Sequence, residues 1–169
     1  FRSGIIECGP AGARDALRTE PFRLRVREPV HVELKGLVGR DQSYRVGVRE
    51  KGGAWRFGPR NGFRLQAGRG EAFRFAVQAD SHLDYNTDPE LYLRCLDNVG
   101  ADGPDFMLDL GDTFMTDKHR GRETAEMHYY AQRYYLGRIG ATVPWFLVLG
   151  NHDGESMRLM EGKIGRAHV

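Results

Sequence analysis

The sequence predicts two fold classes in succession, an all-β sandwich over residues 1–68 and an α/β unit with a parallel sheet over residues 69–162. Three observations carry this. From Phe22 to about Gln66, short runs alternate apolar with polar side chains between glycine-rich turns. From Phe73 onward, strand and helix patterns follow one another as βαβαβ, the order that builds parallel strands with right-handed crossovers. Each strand of that second region runs into aspartate, asparagine or histidine.

In the first region, Phe22–Val26, Val30–Leu34 and Tyr44–Val48 read as strands, with turns at Gly36, Gly39–Asp41 and Gly52–Gly53. Short, evenly spaced strands are the signature of a sandwich. Ala67–Glu71 is glycine-rich and polar, and the rhythm changes after it, which places a domain boundary there. In the second region Phe73–Ala79 is an apolar-rich strand. Asp88-Pro89-Glu90 opens a helix, with Asp88 as N-cap and Pro89 at the first helical position. Tyr92, Cys95, Leu96 and Val99 follow at helical spacing, and Gly100 is expected to close the helix. Phe106–Leu110 is the second strand. Glu123 to about Ile139 is a second helix with Met127, Tyr130, Ala131 and Tyr134 on one face, and Val143–Leu149 is the third strand.

Composition narrows the class. The 169 residues are 40% hydrophobic and 28% charged, a globular balance, and the net charge of +2 gives no overall signal for nucleic acid or an anionic membrane. The longest apolar run, Val143–Leu149, is far short of the roughly 20 residues a membrane helix needs. Cys8 and Cys95 fit neither a disulfide framework nor a zinc cluster. Both ends read as cut. The chain opens on Phe1 without the order of a signal peptide, and Lys163–Val169 back-translates into the start of a widely used short-read sequencing adapter. Residues 163–169 are therefore expected to be a sequencing-adapter artefact and carry no functional weight.

In an open parallel sheet, ligands sit beyond the carboxyl ends of the strands. Here those ends are Asp80-Ser81-His82, Gly111-Asp112 and Gly150-Asn151-His152-Asp153. Oxygen donors mixed with imidazole suit Mn, Fe, Zn or Co, and such a set is more typical of a catalytic site than of a structural zinc. Phosphate ester cleavage needs this arrangement, because two metals about 4 Å apart acidify a bridging water and neutralise the in-line transition state. Asp112, on the central strand, is the candidate bridge.

These residues resemble the motifs of the calcineurin-like metallophosphoesterase superfamily: D-x-H, then G-D, then G-N-H followed by D or E. The resemblance covers about Phe73–Glu155 and implies the first half of an α/β/β/α sandwich. The upstream β region resembles the fibronectin-III-like sandwich that precedes the catalytic domain of purple acid phosphatases, with Leu34–Val46 as the closest stretch. Carried over residue by residue, the resemblance implies that Asp80 and His82 ligate the first metal, Asp112 bridges both and Asn151 ligates the second. It makes His152 the general acid or the holder of transition-state oxygens, with Asp153 in support. Two divalent ions and a phosphate ester substrate, small or polymeric, attacked by a metal-bridging hydroxide, are implied with them. Periplasmic or secreted localisation is an expectation from the same relatives.

The sequence departs from the pattern in places. Asp112 is followed by Thr113-Phe114-Met115, where protein phosphatases carry an Asp and Arg and purple acid phosphatases a ligating Tyr; Asp117 is the nearest carboxylate that would assist His152. Purple acid phosphatases also place Gly where this chain has His82. The family's three downstream histidines lie beyond this chain, so the 169 residues alone are expected to bind two metals poorly and to turn over little substrate. Two competing expectations follow: a binding module with a decayed metal site, or a sandwich that binds carbohydrate or cell wall. His119 and His128 read as solvated residues, and Ser81 is no nucleophile without an elbow motif. Tyr129, Tyr130, Tyr134 and Tyr135 read as helix packing, Trp55 and Trp145 as packing residues, and Lys118, Arg120 and Arg122 as loop cations within reach of a substrate anion.

Overall fold

The computed structural model of the protein describes residues 2–13, 16–26, 28–84, 86–113, 115, 118 and 121–153. It divides into two compact units, Phe1–Glu71 and Ala72–Val169.

The first unit is built on a strand that alternation alone does not reveal. β1 (Arg2–Pro10) contains the doublet Ile5-Ile6 together with Gly4, Gly9 and Pro10, yet it is a central strand, antiparallel to β4 (Asp41–Glu50) along its whole length from Arg2↔Glu50 to Pro10↔Gln42. β2 (Leu17–Arg18) and β3 (Phe22–Leu24) share the other edge of β1, and β5 (Arg56–Phe57) and β6 (Asn61–Arg64) share the other edge of β4. Among the described residues this is one six-stranded antiparallel sheet, not two facing ones. The expected strand at Val30–Leu34 is absent: its residues alternate in exposure, but no neighbouring strand accepts their backbone bonds. Gly4 and Gly47 are required by close approach, since a Cβ there would lie 2.5 Å from the Phe22 ring and 2.7 Å from the Phe57 ring.

Glu7 is the electrostatic centre of this sheet. Its buried carboxylate accepts hydrogen bonds from Arg18 on β2 and from Arg45 Nε on β4, the latter at 2.6 Å. Arg18, then Arg45, hold its carboxyl below the usual carboxylate range.

The second unit follows the expected order closely. β7 (Phe75–Gln78), β8 (Phe106–Asp109) and β9 (Trp145–Leu147) form a parallel sheet in the order β7-β8-β9. α1 (Pro89–Asp102) starts where Asp88 accepts from the amides of Glu90 and Leu91 at 2.9 and 3.3 Å. It ends three residues later than expected, at left-handed Gly103, whose N–H donates to the Gly100 carbonyl. Gly100 lies inside the helix instead, where Ile139 of α2 (Arg122–Gly140) packs 3.3 Å from the place its Cβ would take. α2 also differs from expectation in its face. Ala125, Gln132 and Ile139 are buried and Tyr135 meets Tyr92 edge-on, whereas Met127 and Tyr134 are exposed. The buried stripe contains Ala and Gln, so hydrophobicity alone points to the wrong side of the helix.

The core joins Leu83, Tyr92, Leu96, Met107, Ile139 and Val143, with Ala76, Val99, Tyr135 and Trp145 against it. Both helices therefore cover one face of the sheet. The other face is aromatic and open: Phe75 is half exposed, and Phe73, Phe75 and Phe106 stack while Phe146 meets Phe106 edge-on. Strands of parallel sheets are ordinarily covered on both faces. No described helix is long and apolar enough to cross a membrane.

Because the folded Glu7 pKa lies below its unfolded value of about 4.3, the unfolded chain takes up more protons as pH falls. The stabilisation is complete above that value and is lost as pH drops through the folded one. Thermal unfolding of wild type against Glu7→Gln should show the variant destabilised by about 1–2 kcal/mol at pH 7, a charge-assisted hydrogen bond weakened by its half-exposed arginines. The gap should close towards pH 3; a gap independent of pH would contradict this account of Glu7.

Candidate metal centre

Past the ends of β7 and β8 the chain does not diverge but stays zipped by backbone hydrogen bonds. The amides of Asp80, His82 and Leu83 donate to the carbonyls of Gly111, Asp112 and Thr113 at 3.0, 3.0 and 3.1 Å. This register sets the residues after β7 directly against those after β8. It also forces an unusual backbone: Asp80, His82, Asp112 and Met115 have φ of 56°, 43°, 53° and 50°, and they are the non-glycine residues with positive φ among those described. L-residues avoid this region, and such strain concentrates at functional sites. Three of the four are ligands expected from the sequence.

The donors converge. Asp80, His82 and Asp112 each offer a ligand atom within 4.8 Å of the others. His82 Nε2 lies 3.5 Å from Asp80 Oδ1, is fully buried and has no hydrogen-bond partner. A buried imidazole nitrogen without a hydrogen-bond partner, close to two carboxylates, fits a divalent cation, which would accept its lone pair and neutralise the acids together. The His152 ring stands edge-on to His82 with centroids 5.9 Å apart. Asn151 is exposed on the same turn.

Asp153 binds the third strand end to the second. Its side chain is buried, and its carboxylate accepts from the amides of Asp112 at 2.5 Å, Thr113 at 2.9 Å and Gly150 at 3.0 Å. In return the His152 amide donates to Asp112 Oδ1 at 2.9 Å. The two motif glycines make this contact possible. A Cβ on Gly111 would lie 2.2 Å from the Gly150 nitrogen, and one on Gly150 would lie 2.2 Å from Asp112 Oδ1.

A second buried carboxylate, Asp109, lies outside the motif residues. It accepts from Gln78 Nε2 at 2.8 Å, the Gly111 amide at 3.0 Å and Thr113 Oγ1 at 3.0 Å, and Gln78 reaches on to the Tyr92 hydroxyl at 3.3 Å. Burial pushes its carboxyl up, against the hydrogen bonds from Gln78, Gly111 and Thr113. Its signal was positional: in β8, Asp109 takes the inward register shared with Met107. Met115 is buried, in keeping with a packing role.

Lys118 is exposed and donates to Asp84 Oδ2 at 2.6 Å; with the Asn86 amide it holds the Asp84 carboxyl low. His128 is half-buried on α2. Asp117, His119 and Arg120, the side chain of Arg122 and residues 163–169 lie outside the described residues.

A parallel sheet thus brings two aspartates and a histidine close enough at its strand ends to hold a divalent cation. The family model of the calcineurin-like phosphoesterases matches residues 73–167, more than half of the chain, and the chain belongs to that family. The solved structure of purple acid phosphatase PPD1 from yellow lupin (Lupinus luteus) seeds matches with a TM-score of 0.64 at 17% identity, over 89% of this chain and 30% of that one. The likeness is one of fold, and the chain spans under a third of that protein's length. No curated protein matches the chain.

Gly150→Ala should drive Asp112 out of place and weaken Zn²⁺ binding by at least about 10-fold, as disrupted second-layer support does. Gly137→Ala on α2, where nothing lies within 4 Å, should leave affinity unchanged and stabilise by about 0.5–1 kcal/mol. Calorimetric titration of both variants tests this; equal affinities would contradict the tight-turn account.

Proposed function

We propose that this chain carries the first set of metal ligands of a metal-dependent phosphoesterase. The observation that carries the reading is the set of three left-handed residues, Asp80, His82 and Asp112, whose ligand atoms converge and include a buried imidazole nitrogen with no hydrogen-bond partner. Asp80 and His82 would hold a first divalent ion, drawn from Mn, Fe, Zn or Co, and Asp112 would bridge to a second held by Asn151. Bound there, such ions supply Lewis acidity to a phosphoryl oxygen and make water acidic near neutral pH.

The chain's own residues do the rest. His152 is fixed at its backbone by Asp112 Oδ1, which sets its ring beside His82; there it protonates the leaving alkoxide, a role suited to imidazole near pH 7. Asp153 acts through position, not proton transfer, since backbone amides engage its carboxylate from three sides. The open aromatic face of β7, β8 and β9 is the seat of the second layer of an α/β/β/α sandwich, and the sheet of residues 1–68 is one half of a fibronectin-III-like sandwich.

The test uses a polypeptide that carries this chain together with the downstream histidine motifs the family resemblance implies. With Mn²⁺ or Zn²⁺ present it should hydrolyse para-nitrophenyl or bis(para-nitrophenyl) phosphate, with kcat about 10²–10⁴-fold lower in His152→Ala and no turnover in Asp112→Ala. Turnover that survives EDTA and both substitutions would overturn the reading.

A further inference from the structure

The net charge of +2 conceals two opposed charges. Phe1–Glu71 carries 15 Lys and Arg against 8 Asp and Glu, a net +7, while Ala72–Val169 carries 10 against 15, a net −5. In the N-terminal sheet the register gathers the excess on one side. Residues opposite one another in antiparallel strands share a face, and so do alternate residues along a strand. Arg23, Ser3 and Arg49 form one row across the sheet; Arg18, Glu7 and Arg45 form another, four residues along β1. Arg64 stands opposite Asp41 on the same face, and Arg60 joins it by donating to Ser43 Oγ at 3.1 Å.

Six arginines thus share a face with two carboxylates, of which the buried Glu7 pairs with Arg18 and Arg45, and the face keeps a net excess of four positive charges. Arg18, Arg23 and Arg60 are exposed. The Arg45 guanidinium lies 4.2 Å over the Phe57 ring and that of Arg49 4.4 Å over Trp55, which holds both forks in place. Planar guanidinium groups bind phosphate oxygens in pairs. Because both rings already carry arginine, the face offers charge in place of the bare stacking platform that nucleobases use.

We propose that this arginine face binds a linear chain of phosphate groups without stacking bases, a polymeric ligand for the protein's N-terminal unit. The choice of phosphate over another anion rests on the phosphoesterase reading above; the charge and layout of the face do not.

The test is fluorescence anisotropy of labelled inorganic polyphosphate with the full 169-residue chain. Wild type should bind, losing on the order of 10–100-fold in affinity between 50 and 200 mM salt as about three or four contacts release counterions. Arg23→Glu and Arg60→Glu should each weaken binding by about 10-fold or more. Arg56→Glu makes the same charge change on the opposite face, where Arg56 pairs with Val48, and should stay within about twofold. Arg23→Gln and Arg60→Gln provide milder versions should a reversal disturb folding, checked by circular dichroism. No binding at 50 mM salt, equal losses in Arg56→Glu and Arg23→Glu, or tighter binding of single-stranded DNA or heparin would each overturn the proposal. Asp80→Ala should leave polyphosphate affinity unchanged, so a wild type that binds polyphosphate but no Zn²⁺ would indict the metal reading alone.

Discussion

The Asp153 carboxylate is the contact on which the rest of the site depends. It gathers amides from Asp112, Thr113 and Gly150, and so joins two strand ends that are 40 residues apart in the chain. Without it, nothing in the local sequence would hold Asp112 in a left-handed conformation beside Gly150. Each left-handed residue costs about 1–3 kcal/mol, and each charge-assisted hydrogen bond contributes about 1.5–3 kcal/mol. Three such bonds, two of them from the amides of Asp112 and Thr113, stand against one strained residue, so the clamp offsets the cost of holding Asp112 left-handed.

The strain explains the motif residues together. Gly111 and Gly150 are demanded by backbone contact, because a single methyl on either would overlap the opposite turn. Asp109 braces the same turn from inside the sheet, and Thr113 connects the two carboxylates: its amide donates to Asp153 and its hydroxyl to Asp109. A network of this kind keeps ligand atoms at fixed separations before a metal arrives, which raises affinity by lowering the ordering required on binding.

Much of this was legible in the sequence. The βαβαβ order emerged because its strands are apolar runs with distinct caps, and Asp80, His82 and Asp112 stand at strand ends, where an open sheet presents ligands. Four features were hidden, each for a physical reason. β1 mixes glycines with an isoleucine doublet, so a central strand carries no alternation. The buried stripe of α2 joins Ile139 to Ala125 and Gln132, and hydrophobicity ranks the last two below the exposed Met127. Asp109 hides among strand apolars because its inward direction depends on register, and Val30–Leu34 alternates without a partner to make it a strand.

The measurement that tests the central claim most directly is a crystal structure of the 169-residue chain soaked in Zn²⁺, with anomalous scattering to locate the ion. The account predicts a peak about 2.0–2.2 Å from donor atoms of Asp80, His82 and Asp112, with Asp80, His82 and Asp112 still left-handed. A saturated crystal with no peak there, or with its zinc bound away from these three residues, would contradict it.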